Sequence, residues 1–128
     1  MSDYDLKRRV IKTEVPAELP QAAARFNTGK LRPSLIPPGC LAEVLKVLEM
    51  GAQKYSPWNW TKGLNYLSVC DSLERHVLAF KSGEDRDSES GLYHAAHIIA
   101  NALFLLHFLL TNRTELDDRS IYGKKGLD

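Results

Sequence analysis

Residues 92–110 have the sequence LYHAAHIIANALFLLHFLL, which is long enough for about five turns of α-helix. The segment is apolar on nearly every face, which predicts a helix at the centre of the fold. It also carries His94, His97, Asn101 and His107, and these side chains are costly in a lipid bilayer. The sequence therefore favours a buried helix over a membrane span.

Several polar side chains of this helix share one face. His94, His97 and Asn101 recur at i, i+3 and i+7, and Leu105 and Phe108 continue the same stripe. Buried polar groups need partners. The stripe therefore predicts either a hydrogen-bonded network in the core or the wall of a polar cavity.

Two further helices are predicted upstream by apolar residues at helical spacing. The first runs from about residue 41 to 55, after a Pro-Pro-Gly segment, and its expected core face is Leu41, Val44, Leu45, Leu48 and Ala52. The second runs from about residue 66 to 80, with an inward face of Val69, Leu73, His76, Val77 and Phe80. No strand is predicted, so the expected fold class is all-α, a helical bundle.

The first of these helices has a second strip, opposite the expected core face. Glu43, Val47, Met50 and Lys54 line up at i, i+4, i+7 and i+11. A helix with apolar residues on two sides is covered on two sides, by a partner subunit or by a substrate. Glu43 and Lys54 are therefore expected at the margins of a buried region.

The composition is that of one globular domain. The 128 residues are 44% hydrophobic and 26% charged, with a net charge of +1, which gives no electrostatic signature of nucleic-acid or membrane binding. Cys40 and Cys70 form no metal-binding or disulfide pattern, and no signal peptide is visible, so the cytoplasm is the expected compartment. We expect an N-terminal arm over residues 1–24, a helical domain over 25–112, and a flexible tail over 113–128.

Four acidic residues, Glu84, Asp85, Asp87 and Glu89, lie in the loop before the 92–110 helix. They fit a solvated turn that caps this helix, and they also fit a set of oxygen ligands for a divalent cation. The inward-facing His76 is open to two similar interpretations, as a hydrogen-bonded core residue or as a ligand.

A loop with two tryptophans, Trp58-Asn59-Trp60, joins the first two predicted helices. The indole rings suit either a plug at the end of the bundle or a platform for a nucleobase, with Asn59 placed to read the base edge.

Taken in order, several short motifs identify a resemblance that covers about residues 25–108. They are Arg25-Phe26-Asn27-x-Gly29-Lys30, Leu35-Ile36-Pro37-Pro38, Gly51-Ala52-x-Lys54-Tyr55, Asn59-Trp60-x-x-Gly63, Arg75-His76, Gly83-Glu84-Asp85-x-Asp87-x-Glu89-Ser90-Gly91 and His94-x-x-His97-x-x-x-Asn101. This pattern resembles the phage-type dATP/dGTP diphosphohydrolase branch of the MazG-like nucleotide pyrophosphohydrolase superfamily.

The resemblance implies an α-helical bundle that forms a homodimer or homotetramer. It implies hydrolysis of a (deoxy)nucleoside triphosphate, dGTP or dATP, to the monophosphate and pyrophosphate with Mg²⁺ or Mn²⁺ as cofactor. No nucleic-acid or membrane partner is expected.

The superfamily typically holds metal with a Glu-x-x-Glu on one helix and a Glu-x-x-Asp on the next. Glu43 fits the first motif, but Lys46 stands in the place of its partner; the later pair is either Asp71-x-x-Glu74 or is replaced by His94-x-x-His97. On this resemblance the candidate metal ligands are Glu43, Glu74, Asp85, Asp87, His94 and His97. The candidate catalytic residues are Glu43, His76 and Glu89. The candidate substrate contacts are Lys30, Lys54 and Arg75 for the phosphates, and Trp58, Asn59, Trp60 and Asn101 for the rest of the nucleotide.

Two other functions compete with this one. A metal-dependent phosphohydrolase of the His-Asp type requires adjacent His and Asp, and no histidine here is followed by Asp. A non-catalytic nucleotide sensor with the same fold stays open, because Lys46 departs from the metal-binding motif.

Overall fold

The computed structural model describes residues 23–122, and the chain divides into one unit that ends at Arg32 and a second that begins at Pro33. The predicted N-terminal arm, apart from its last two residues, and residues 123–128 of the predicted tail lie outside the described part. In the first unit, Lys30 N donates to Asn27 O at 3.0 Å in a turn that places Gly29 at φ 79°. This backbone conformation favours glycine.

Three long α-helices dominate the described part of the second unit: α1 (Pro38–Lys54), α2 (Tyr66–Lys81) and α3 (His94–Leu110). Short 3-10 helices occur at Pro33–Leu35, Asn59–Lys62 and Thr114–Leu116. Across residues 23–122 there is no β-strand, only an isolated bridge between Arg86 and Tyr93. The all-α prediction is confirmed. Among the described helices, none has both the length and the apolar character needed to span a membrane.

The start of α1 lies three residues before the predicted one. Pro38 occupies the first turn, where its fixed φ suits the helix and its missing N–H would have had no intrahelical acceptor. Pro37 is therefore the N-cap of α1, and Pro38 is its first helical residue.

Helix α3 is central, as its sequence predicts, because α1 and α2 both pack against it. Against α1, the buried Ala96 and Ala100 contact Val47. Against α2, the fully buried Phe108 packs with Tyr66 and Val69, and the Tyr66 and Phe108 rings are parallel within 9°. Phe104 borders both clusters and so joins the two halves of the core.

The expected core faces of α1 and α2 were partly wrong. On α1 the buried residues are Val44 and Val47, whereas Leu41 and Leu45 are about half exposed. On α2, Phe80 is also exposed rather than inward-facing. Helical spacing identified the apolar strips correctly, but α3 packs against the Val47 side of α1.

The chain after α3 returns to the rest of the second unit through specific hydrogen bonds. The Arg113 guanidinium donates to Thr61 O at 2.9 Å and to Lys62 O at 3.0 Å. Asp118 Oδ1 accepts a hydrogen bond from Leu67 N at 2.9 Å, which satisfies a free donor in the first turn of α2. Residues 113–118 thus have defined contacts within the segment that we expected to be a flexible tail.

Replacing Phe108 by Ala tests the central position of α3. The change leaves a cavity where the ring is fully buried, so we expect the free energy of unfolding to fall by about 3–5 kcal/mol in urea denaturation. Phe80→Ala removes the same atoms from a half-exposed position and should cost less than half as much. Equal losses in the two variants would contradict this packing.

Candidate active site

A cavity of about 580 Å³ lies where α1, α2 and α3 meet the loop between α2 and α3. Helix α1 contributes residues from its C-terminal end, α2 from its middle, and α3 from its first turn. The lining residues are Met50, Lys54, Ser72, Arg75, His76, Ala79, Glu84, Asp87, Glu89, Ser90, His94 and His97.

The loop at residues 82–93 is fixed by its own hydrogen bonds. Asp87 N donates to Leu92 O at 2.8 Å, and Gly91 N donates to Asp87 O at 2.7 Å. Asp87 Oδ2 accepts from Ser90 N at 2.9 Å. These bonds hold the Asp87 and Ser90 side chains at the entrance to α3.

Arg86 closes the same loop on its outer side. Its guanidinium donates to Gly91 O at 3.0 Å and to the Tyr93 hydroxyl at 2.8 Å, and it lies 4.0 Å from the centroid of the Tyr93 ring. Tyr93 is the N-cap of α3 and makes no side-chain cap. The interpretation that this loop caps α3 through a side chain was therefore wrong, and the Asp87 carboxylate instead accepts from Ser90 N within the loop.

A histidine cluster forms the inner wall of the cavity. His76 Nδ1 lies 2.9 Å from His94 Nδ1, and the other nitrogen of His94, Nε2, lies 2.7 Å from Glu84 Oε1. His97 stacks on His76 with ring centroids 4.4 Å apart and planes within 3°. Because His94 and His97 are buried, the cluster confirms that the polar stripe of α3 faces a polar environment.

The third histidine, His97, is tied to the loop. Its Nε2 lies 2.8 Å from the Ser90 hydroxyl oxygen and 3.9 Å from Asp87 Oδ2. Both interpretations of the stripe are therefore combined in one place, since the histidines are hydrogen-bonded to one another and also line a cavity.

Burial and neighbouring charges shift the pKa values of His76, His97 and Asp87. Burial lowers the pKa of His76, and the neighbouring His97 and His94 lower it further. Burial also lowers the pKa of His97, against the opposing effect of Asp87. Burial alone would raise the pKa of Asp87, but hydrogen bonds from Ser90 outweigh it, so the net shift of this pKa is downward. Neutral imidazoles and an ionised carboxylate are the forms that bind a metal ion.

The donor set fits a single divalent ion. One ligand atom each from His76, Asp87 and His94 can be chosen so that all three lie within 4.8 Å of one another. Two imidazole nitrogens and one carboxylate oxygen suit a first-row transition metal better than Mg²⁺, which prefers oxygen ligands.

Cationic side chains line the same cavity. Lys54 lies in the last turn of α1, and Arg75 lies next to His76 on α2. Both side chains are exposed. They give the cavity positive charge beside the metal-binding donors, an arrangement suited to a phosphorylated ligand.

Of the residues predicted from sequence, seven line this cavity: Lys54, Arg75, His76, Asp87, Glu89, His94 and His97. Others have different positions in the second unit. Glu74 is exposed on α2, the Asp85 side chain is exposed while its carbonyl accepts from His94 N, and Asn101 Nδ2 donates to His97 O at 2.9 Å. Lys30 belongs to the first unit. The functional roles assigned to these residues stay predictions.

Glu43 does not line the cavity. It is half-buried on α1, and Lys46 Nζ contacts its Oε2 at 2.7 Å. Lys46 therefore places a positive charge next to the Glu43 carboxylate. The role of Glu43 as a ligand stays a prediction.

The two tryptophans have different environments. Trp60 stacks on Phe104 with centroids 4.5 Å apart and borders the core. Trp58 is 71% exposed and has a left-handed backbone conformation, with φ 65°. Trp60 thus has a packing role, whereas Trp58 presents a free ring surface. Asn59, which lies between the two tryptophans, is the first residue of the short 3-10 helix Asn59–Lys62.

The candidate site residues did not include Ser72, Ser90 or Met50, and Glu84 was predicted only as one of the four loop acids that fit a cation site. All four residues line the cavity. A signal existed for Ser90, which follows Glu89 in the quoted loop motif. The contact of Glu84 with His94 depends on how the chain leaves α2, which no spacing pattern shows.

A known protein family matches most of the chain. The model of the family described as dATP/dGTP diphosphohydrolase, N-terminal, matches residues 20–119, which include α1, α2, α3 and every cavity-lining residue. The chain is similar to a dATP/dGTP diphosphohydrolase of Salmonella phage PMBT28, at 44% identity over 95 residues. This alignment covers 74% of the chain and 32% of the phage protein, so the chain spans about a third of its relative's length. No solved structure matches the chain significantly.

Mn²⁺ titration by calorimetry distinguishes Asp87 from Glu43 as an acidic ligand of the metal ion. Asp87→Asn preserves the shape of the side chain and removes its charge, so we expect Mn²⁺ affinity to fall at least about tenfold. The matched variant Glu49→Gln changes an exposed carboxylate of α1 outside the cavity and should bind as the wild type does. Loss of binding in Glu43→Gln but not in Asp87→Asn would instead place the ion on α1.

Proposed function

The chain belongs to the dATP/dGTP diphosphohydrolase N-terminal family, and from that premise we propose that it hydrolyses dGTP or dATP to the monophosphate and pyrophosphate with the help of a divalent metal ion. The observation that carries this proposal is the cavity itself. Metal-binding donors and cationic side chains line one volume, and a triphosphate requires both to offset its negative charge.

We propose His76, Asp87 and His94 as the residues that hold the metal ion. Their donor set supports Mn²⁺ over Mg²⁺ as the better-bound ion, because imidazole nitrogen is a poor ligand for Mg²⁺. When bound, such an ion neutralises charge on phosphate oxygens and lowers the pKa of a coordinated water.

The remaining lining residues have complementary tasks in this proposal. Lys54 and Arg75 bind the phosphate chain, Arg75 through a planar group that can contact two oxygens at once. Glu89, an exposed carboxylate of the loop, accepts a proton from the attacking water. One water adds across the anhydride that joins the α- and β-phosphates, and the monophosphate and pyrophosphate separate.

Trp58 is our candidate for contact with the base. Its exposed ring and its unfavourable left-handed backbone conformation distinguish it from the packed Trp60. Backbone strain of this kind persists where the surroundings enforce it and is concentrated at functional sites. A purine offers the larger surface for stacking on an indole ring.

We also propose that the chain acts as a homodimer or homotetramer. Ile99, Leu103, Leu106 and Leu110 are exposed on α3 at i, i+4, i+7 and i+11, so they form one apolar stripe. A stripe of this length on the central helix supports its burial against another copy of the chain.

Light scattering tests the oligomer. We expect a particle of two or four times the chain mass at micromolar concentration, and Leu106→Glu should reduce that mass because it puts a charge in the middle of the stripe. Leu78→Glu makes the same change at an exposed position on α2 and should leave the mass unaltered. A wild-type particle with the mass of one chain would contradict the proposal.

Product analysis tests the reaction. The protein is incubated with each common ribo- and deoxynucleoside triphosphate plus Mn²⁺ or Mg²⁺, and the products are separated by anion-exchange chromatography. We expect dGTP or dATP to be consumed fastest, with equal amounts of monophosphate and pyrophosphate and with faster turnover in Mn²⁺. Asp87→Asn, as the control for contaminating enzymes, should lose activity by at least about a hundredfold.

Each contrary result has a definite meaning. Release of inorganic triphosphate would replace the proposed bond cleavage by another. Binding of nucleotide without turnover would favour the non-catalytic sensor, and preference for a pyrimidine would contradict the role of Trp58.

A further inference from the structure

Of the three histidines in the cluster, His94 is the one that Glu84 contacts. Its Oε1 lies 2.7 Å from His94 Nε2, and the carboxylate is half exposed while the imidazole is only 3% exposed. The contact thus joins a solvated carboxylate to a buried ring, at the edge of the cavity.

The end of α2 fixes where Glu84 lies. Gly83, at φ 102°, donates from its N–H to Phe80 O at 3.0 Å, and Glu84 N donates to Ala79 O at 3.2 Å. These two bonds form a Schellman motif, in which the first residue after the C-cap has a left-handed conformation that glycine adopts readily. The C-cap is Ser82, so Glu84 is the second residue after it, and its backbone is held in place by the helix end.

This contact determines the tautomer of His94. An ionised carboxylate only accepts hydrogen bonds, so when Glu84 is ionised and the ring carries a single proton, the 2.7 Å contact requires that proton to be on Nε2. The other nitrogen, Nδ1, then carries a free electron pair, and it is the atom that lies 2.9 Å from His76 Nδ1. His97 has no comparable constraint, because its Nε2 contacts the Ser90 hydroxyl, which can donate or accept.

We propose that Glu84 is a positioning residue of the metal site, which holds His94 as the Nε2–H tautomer so that Nδ1 faces His76 and Asp87 as a ligand. This inference rests on the metal site of the proposed function. A carboxylate on the distal nitrogen of a ligating histidine also orients the ring and makes the ligating nitrogen more basic. Glu84 therefore affects metal affinity without touching the ion or the substrate.

Nuclear magnetic resonance gives a direct readout of the tautomer. Long-range proton–nitrogen spectra of ¹⁵N-histidine protein, recorded after chelation of metal at about pH 8, distinguish protonated from unprotonated ring nitrogens. The chain has four histidines, and His94→Gln identifies the His94 signals by their loss. We expect Nε2 of His94 to be protonated and Nδ1 to be unprotonated in the wild type. The opposite tautomer in the wild type would overturn the proposal.

Two substitutions then connect the tautomer to metal binding. Glu84→Ala should release His94 to a mixture of tautomers and lower Mn²⁺ affinity about 10–100-fold in calorimetry. Glu84→Gln keeps an acceptor oxygen at the same position, so its affinity should lie between those of Glu84→Ala and the wild type. Glu49→Ala, a change at the exposed carboxylate of α1 outside the cavity, should alter neither readout.

The outcomes separate this inference from the proposed reaction. A wild-type tautomer or wild-type Mn²⁺ affinity in folded Glu84→Ala would overturn the role of Glu84. Because both readouts are made without nucleotide, a failure of dGTP or dATP hydrolysis in the wild type would leave them unaffected.

Discussion

Two imidazole rings on the first turn of an otherwise apolar helix must find polar partners inside the protein. His94 and His97 are 3% and 7% exposed, and a buried polar group without a hydrogen bond costs about 1–3 kcal/mol. Their partners come from outside α3: His76 from α2, and Glu84 and Ser90 from the loop. Satisfying these two rings therefore sets how α2 and the loop approach α3. The apolar clusters of Val47 and Phe108 complete the packing of the three helices.

The same contacts that stabilise the helix junction also prepare the site. Asp87 stabilises the loop by accepting a hydrogen bond from Ser90 N. Its carboxylate also lies within 4.8 Å of ring nitrogens of His76 and His94. His76 is stacked on His97 and lies within hydrogen-bonding distance of His94, so its ring has little freedom to rotate. Ligands that are already held in place lose less conformational entropy when an ion binds. Fold and site are for this reason hard to alter separately in this protein.

Sequence predicted the elements better than their faces. The three helices, their order and the polar stripe of α3 follow from apolar spacing and are confirmed within a few residues. The predicted inward face of α1 was only partly right. Val44 is buried as expected, but Leu41 and Leu45 mark an apolar strip as strongly as Val47 does, and only the position of α3 decides between them. A periodic pattern locates apolar strips, but it does not say which of them faces the same chain.

For the site, too, sequence predicted the residues that are close together in the chain better than the contacts that depend on the fold. Asp87, His94 and His97 are close in sequence, so their spacing and the family resemblance together grouped them as candidates. The contact of Glu84 with His94 was missed because it depends on the left-handed turn at Gly83, which directs Glu84 toward His94.

The account depends most on the claim that the metal ion binds among His76, Asp87 and His94. The most direct measurement is anomalous X-ray diffraction from crystals of the protein soaked in Mn²⁺, with data collected on both sides of the manganese absorption edge. The account predicts an anomalous peak within coordination distance of all three side chains. A peak on Glu43 or Glu74, with none among these three residues, would contradict it.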